Sequence, residues 1–135
     1  MTLSYVDTSA LMMRVVVEAE SVGVRRALEQ WNAAGDVLVA STLSWLEVWR
    51  SLRRVPVRDL AGTAEAAFAG VAEIPLTDGI LERARRIGPE ILRPLDAIHL
   101  ASAVAVAATR ILTYDARLAD AATVAGFDVV SPPPE

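Results

Sequence analysis

The sequence predicts an α/β fold: a three-layer α/β/α sandwich around a central, mostly parallel five-stranded sheet. Short runs rich in apolar and β-branched residues alternate with helix-like segments from end to end, the pattern of a parallel sheet covered by helices on both faces. The chain has 135 residues, 53% of them hydrophobic, with seven glycines and seven prolines. That length and composition suit a single globular domain, 1–135, able to bury a core without covalent staples.

The elements follow in order from local signals. Leu3-Ser4-Tyr5-Val6 leads into Asp7 and predicts a first strand at Ser4–Asp7, with a helix over Thr8–Arg14. A helix over Ser21–Ala34 is stopped by Gly35-Asp36, and a second strand is expected at Val37–Ala40. Helices over Thr42–Arg53 and Val57–Gly70 are separated by Pro56, and a third strand falls at Ala72–Pro75. A helix over Asp78–Ile87 ends before Pro89, and Pro94 suits the first turn of a helix over Pro94–Ala108. The fourth strand is expected at Arg110–Thr113, a last helix over Ala116–Ala125 stops at Gly126, and the fifth strand lies at Phe127–Val130. The tail Ser131-Pro132-Pro133-Pro134-Glu135 cannot pair inside a sheet and is expected on the surface.

Composition excludes several chemistries. There is no cysteine, which removes disulfides, thiolate zinc sites and cysteine nucleophiles, and there is one histidine. All 13 cationic residues are arginine. Without lysine there is no phosphate-binding P-loop, no Schiff base and no receiver-type phosphorylation site. The N-terminus lacks a basic region followed by an apolar stretch, and the run Ala97–Ala108 is too short for a bilayer, so a soluble, cytoplasmic protein with no membrane contact is expected.

Carboxylates carry the remaining signal. Asp7 and Asp115 each end an apolar strand-like run, where open parallel sheets place their ligands. Each also precedes a helix and so reads equally as an N-cap. Glu47 sits in Ser44-Trp45-Leu46-Glu47-Val48-Trp49-Arg50; helical spacing sets Arg50 and Arg54 on its face and Trp45 and Trp49 opposite, as core or as interface. Asp96 opens a helix too apolar for the surface, so its carboxylate needs a partner or a metal. His99, one turn later, reads as a packed ring, a base, a ligand, or a group orienting Asp96. Asp120, five residues after Asp115, falls off its helical face and is read as a surface residue. If Asp7, Glu47, Asp96 and Asp115 form one site, they account for the whole net charge of −4. Two divalent cations would neutralise it and let a phosphodiester enter.

Four windows together resemble the PIN-domain ribonucleases, specifically the VapC-type toxins of type II toxin–antitoxin pairs. They are Tyr5-Val6-Asp7-Thr8-Ser9-Ala10-Leu11, Glu47 with Arg50-Ser51-Leu52-Arg53-Arg54, Leu95-Asp96-Ala97-Ile98-His99-Leu100-Ala101-Ser102-Ala103, and Leu112-Thr113-Tyr114-Asp115-Ala116-Arg117-Leu118. The resemblance spans nearly the full chain and implies a PIN-like version of the sandwich. It implies Asp7, Glu47, Asp96 and Asp115 as catalytic metal ligands, with Ser9 and Thr113 as hydroxyl partners of the metal shell. Hard oxygen donors select Mg²⁺, with Mn²⁺ as substitute. Water activated by the metal would cleave RNA to leave 5′-phosphate and 3′-hydroxyl ends. The implied partners are an RNA substrate, a VapB-like antitoxin and a second copy in a homodimer. One departure is Met12-Met13-Arg14 where the family often carries lysine. Two other readings stand beside the toxin: a PIN nuclease in RNA processing, and a catalytically silent metal-binding interaction module.

Overall fold

A computed structural model describes residues 2–135. Five parallel strands, β1 (Leu3–Val6), β2 (Val37–Ser41), β3 (Val71–Ile74), β4 (Arg110–Leu112) and β5 (Asp128–Val130), form one sheet in the order β3-β2-β1-β4-β5. The helices are α1 (Thr8–Met13), α2 (Ser21–Ala33), α3 (Leu43–Leu52), α4 (Leu60–Ala67), α5 (Asp78–Ala84), α6 (Pro94–Ala105) and α7 (Ala116–Val124). The sheet is parallel throughout, because each strand is joined to the next through at least one helix that returns the chain to the same end of the sheet.

Alternation along the strands divides the core. Tyr5, Val39 and Ile111 face one layer, where they pack with Ile80, Leu100 and Leu118 from α5, α6 and α7. Val6, Leu38, Ala40 and Leu112 face the other, packing with Leu11, Val24, Val48 and Ala64 from α1 to α4. Both faces of the central strands are therefore apolar, as a buried parallel sheet requires. Leu100 is fully buried, so its truncation to alanine would cost about 2–5 kcal/mol.

Some helices are shorter than the sequence predicts, for local reasons. Asp59 caps α4 by accepting from the Gly62 amide, so that helix starts at Leu60 and not Val57. Helix α6 ends at Ala105 because Ala107 takes a left-handed conformation, φ 56°. Beyond Ala84, α5 unwinds into a segment that turns at Gly88, φ 74°.

The chain leaves the centre of the sheet toward β3, then crosses to β4 and β5, so the strand order reverses between β1 and β4. Their carboxyl ends open onto the crevice where such sheets bind ligands. The opposite edge is closed by Arg110, which reaches Asp36 Oδ2 at 2.5 Å and Ser4 Oγ at 3.0 Å and lies 3.7 Å over the Trp31 ring. The proline tail lies on the surface as expected, yet it is tied down: the Tyr114 hydroxyl donates to the Pro132 carbonyl at 2.6 Å, and Glu135 pairs with Arg26.

Candidate active site

Asp7 stands one residue beyond β1, at the strand-order reversal, and its side chain is buried. It occupies the N-cap position of α1, but among the described residues its carboxylate takes no capping bond. Two hydroxyls hold it instead. Ser9 Oγ and Thr113 Oγ1 each donate to Asp7 Oδ2 at 2.8 Å. These hydroxyls in turn accept from the backbone of the β4–α7 loop, Ser9 from the Tyr114 amide at 2.9 Å and Thr113 from the Asp115 amide at 3.0 Å. Each hydroxyl thus passes the polarity of a backbone N–H to the same carboxylate oxygen. The two strand ends on either side of the switch point are locked together by that relay.

Glu47 projects from the middle of α3 toward Asp7. Thr8 Oγ1 lies 2.8 Å from Glu47 Oε1 and 2.9 Å from Ser44 Oγ. A carboxylate only accepts, so the Thr8 proton goes to Glu47 and Ser44 donates to Thr8. His99 Nε2 meets the same Oε1 at 2.6 Å. Burial pushes the Glu47 carboxyl up, but the hydrogen bonds from His99 and Thr8 and the His99 charge hold it below the ordinary glutamate value.

His99 is buried, and its other nitrogen, Nδ1, lies 2.6 Å from the Tyr5 hydroxyl. Burial pulls the imidazole pKa down; the Glu47 hydrogen bond and the charges of Asp7, Glu47 and Asp96 outweigh it and raise the pKa. The expectation that His99 orients Asp96 is corrected here. Although both lie on α6, the imidazole turns to Glu47 on α3, because a ring buried this deeply needs partners at both nitrogens and Tyr5 and Glu47 supply them. Asp7 Oδ1 is 3.6 Å from Nε2, too far for a hydrogen bond but close enough to feel its charge.

Asp96 is the third residue of α6, behind the Arg93 cap and Pro94. Its carboxyl is raised from 3.8 to about 6, first by burial and then by the negative charges of Asp115 and Asp7. Asp115 caps α7, with Oδ1 accepting from the Leu118 amide at 3.0 Å. All four acids singled out in the sequence are thus brought to one end of the sheet, with Asp96 repelled by Asp115 and Asp7, and Glu47 joined to Asp7 through His99.

Among the described residues, no three His, Asp or Glu side chains enclose an ion by themselves. The donor set nevertheless fits a hard cation. Mg²⁺ keeps several waters and needs only one or two carboxylates, and the charge repulsion that lifts Asp96 is what a divalent ion relieves. The cavities of about 250 Å³ beside Arg14 and about 390 Å³ between Gly88 and Val124 lie elsewhere and are lined by none of the four acids.

Other sequence expectations fare differently. Val48 and Leu52, with Ser44, form the inward face of α3, so Trp45 and Trp49 are not its core stripe. Trp45 lies half-buried and stacks on Phe68, ring centroids 3.9 Å apart, whereas Trp49 is 42% exposed. Arg50 is exposed on the last turn and Arg54 lies past the helix end, so only Arg50 shares the helix with Glu47. Arg14 donates to the carbonyls of Ala67 and Ala69 at 2.8 and 2.9 Å, tying down the C-terminal end of α4. Asp120 is exposed, as read. The participants that sequence reasoning missed are Tyr5, Thr8 and Ser44. Tyr5 and Thr8 flank Asp7, but they read as an ordinary strand residue and a helix start.

A carboxylate cluster at the switch point of a fully parallel sheet sits where open α/β sheets bind their ligands. The chain belongs to the PIN domain family, which it matches over residues 4–124, and falls among its VapC-type members. It is 35% identical over 130 residues to Ribonuclease VapC47 of Mycobacterium tuberculosis (strain CDC 1551 / Oshkosh), a match covering 95% of this chain and 96% of that protein. The crystal structure of Mycobacterium tuberculosis VapC20, a sarcin-ricin loop cleaving toxin, aligns with a TM-score of 0.71 at 24% identity, over 96% of this chain and 99% of that one. A toxin–antitoxin complex from Klebsiella pneumoniae aligns with a TM-score of 0.70 at 23% identity, over 98% and 99% of the respective chains. At these identities the two structures show a shared fold. Among the described residues, no helix is long and apolar enough to cross a membrane.

Proposed function

We propose that this chain is an endoribonuclease toxin of the cytoplasm, dependent on Mg²⁺ or Mn²⁺, acting as a homodimer and neutralised by a small VapB-like antitoxin. The observation that carries the reading is the gathering of Asp7, Asp96 and Asp115 from sequence positions far apart, so close that burial and the charges of Asp115 and Asp7 lift the Asp96 carboxyl to about 6 against the opposing charge of His99. Such repulsion is retained where a site is built to take a cation. The VapC relative, named a ribonuclease, supports RNA as the substrate, and the structural likeness to a toxin–antitoxin complex supports an antitoxin partner.

Asp7 and Asp96 would hold the principal ion and Asp115 a weaker second one. When bound, the metal supplies Lewis-acid activation of water and neutralises phosphate charge. The chain's own residues do the rest. Ser9 and Thr113 fix the Asp7 carboxylate, Glu47 orients the attacking water and takes up its proton, and Arg50 draws in the backbone phosphates. Water attack leaves 5′-phosphate and 3′-hydroxyl ends.

The test is to sequence RNA ends after induction of wild type and of Asp96→Asn, alongside cleavage by the purified proteins with and without chelator. New 5′-phosphate ends that appear only with wild type, and only with divalent ion present, are expected. Cleavage that persists in the variant or in chelator, or ends bearing 2′,3′-cyclic phosphate, would refute the proposal.

A further inference from the structure

Glu47 is the one member of the acidic site whose orientation is set by side chains from three other elements. Thr8 of α1 holds Oε1 at 2.8 Å, and His99 of α6 holds the same oxygen at 2.6 Å. His99 is held in turn by Tyr5 of β1, at 2.6 Å on Nδ1. Tyr5 is fully buried and His99 nearly so, and a buried phenol must donate its proton to an acceptor. In the neutral ring, donation to Nδ1 leaves the imidazole proton on Nε2, the nitrogen that faces Glu47, and the protonated ring keeps that same Nε2–H.

We propose that Tyr5 and His99 form a positioning chain for Glu47, in which the Tyr5 hydroxyl fixes the ring tautomer and His99 Nε2–H fixes one carboxylate oxygen, leaving the other turned to the scissile phosphate. The chain runs from the sheet, through the helical layer of α6, to α3 in the opposite layer, so it sets the distance between the Glu47 helix and the strand that carries Asp7. Packing alone does not require this chemistry, since an apolar side chain would fill the same space. A ring bonded at both nitrogens, 94 residues from one partner and 52 from the other, specifies an orientation. His99 and Tyr5 are positioning residues: they act on the reaction through Glu47.

This inference rests on the nuclease reading, and the experiment separates the two. RNA cleavage by the purified protein is measured at saturating Mg²⁺ for wild type, Tyr5→Phe, His99→Leu, His99→Gln, Glu47→Gln and the Glu47→Gln/His99→Leu double variant. His99→Leu is expected to lower kcat by about 10–100-fold, the usual effect of losing a group that orients a metal-site residue, with KM within about twofold. Tyr5→Phe should lower kcat less, and His99→Gln, which keeps an amide N–H for Glu47, should restore part of the loss. The double variant should be no slower than Glu47→Gln alone, because the chain has no other outlet. Losses that multiply in the double variant, or full kcat in both Tyr5→Phe and His99→Leu, would overturn the proposal.

A second measurement needs no RNA and covers the case in which His99→Leu does not fold. The chain has a single histidine, so the ¹⁵N imidazole spectrum of the intact protein reads His99 alone. A slowly exchanging Nε2 proton that shifts in Glu47→Gln, and an Nδ1 resonance that shifts in Tyr5→Phe, are expected. An imidazole spectrum unchanged by both substitutions would overturn the proposal, whatever the RNA result. A wild type that cleaves no RNA while showing these shifts would instead refute the nuclease reading and leave the positioning chain standing.

Discussion

Replacing Asp96 with asparagine should abolish activity and stabilise the metal-free protein, and the second effect is the sharper test of the site's electrostatics. Carrying the carboxyl from 3.8 to about 6 corresponds at full strength to about 3 kcal/mol of strain in the ionised folded state. Asp96 is only half-buried, so water and salt reduce this to about 1–2 kcal/mol. Asp96 also lies in the first turn of α6, where the helix dipole favours its charge by about 0.5 kcal/mol, and asparagine forfeits that. The net gain is near 1 kcal/mol, or about 3–6 °C in Tm for a domain of this size.

The sign fixes the pH dependence. A carboxyl raised on folding destabilises above its folded pKa, so the gain from Asp96→Asn is full above about pH 7 and shrinks to about a third of that near pH 4.5. Differential scanning calorimetry in chelator across that range tests it, with Mg²⁺ expected to raise the wild-type Tm more than that of the variant. A variant that melts at or below the wild-type temperature at about pH 7.5 would refute the proposed repulsion among Asp7, Asp96 and Asp115.

Three further outcomes are expected. At fixed ionic strength, Ca²⁺ should raise RNA affinity by neutralising the acidic cluster; fluorescence anisotropy showing equal affinity with and without the ion would contradict that account. Trp45→Ala, which breaks the stack on Phe68, should cost about 3 kcal/mol in denaturant titration, whereas Trp49→Ala should leave stability within about 0.5 kcal/mol and weaken antitoxin binding in calorimetry. Arg14→Ala should cost about 2 kcal/mol by releasing the Ala67 and Ala69 carbonyls, while RNA cleavage by the folded variant stays at the wild-type rate.

What the sequence made legible follows from how local its signals are. The twelve elements, and the placing of Asp7 and Asp115 just past strand ends, depend on periodicity and on Pro and Gly, which act within a few residues. The helix ends at Leu60 and Ala105 shifted because a single cap or a single left-handed residue decided them. The choice of partner was not legible. His99 has Asp96 three residues away yet bonds a residue 52 positions off, and Arg14 finds carbonyls 53 and 55 positions away. The role of the α3 tryptophans, core or interface, stayed open for a related reason. Helical spacing separates faces but does not say which face is inward, and the buried line runs through the smaller Ser44 and Val48.

The hydrogen bonds at the site divide the labour within individual carboxylates. Asp7 spends Oδ2 on Ser9 and Thr113, Asp115 spends Oδ1 on the Leu118 amide, and Glu47 spends Oε1 on His99 and Thr8. In each case one oxygen is fixed, and the other takes no hydrogen bond among the described residues. A carboxylate held by one oxygen cannot rotate freely, so its second oxygen keeps a set direction at little further entropic cost when a ligand arrives. A small cation with strict octahedral demands gains most from that arrangement, because its ligands must already point correctly. Asp96 differs, since its carboxyl is set by burial and by the charges of Asp115 and Asp7. An entering cation would drive that raised carboxyl back to its ionised form, so on the proposed metal-dependent reading Asp96 would couple cation binding to pH.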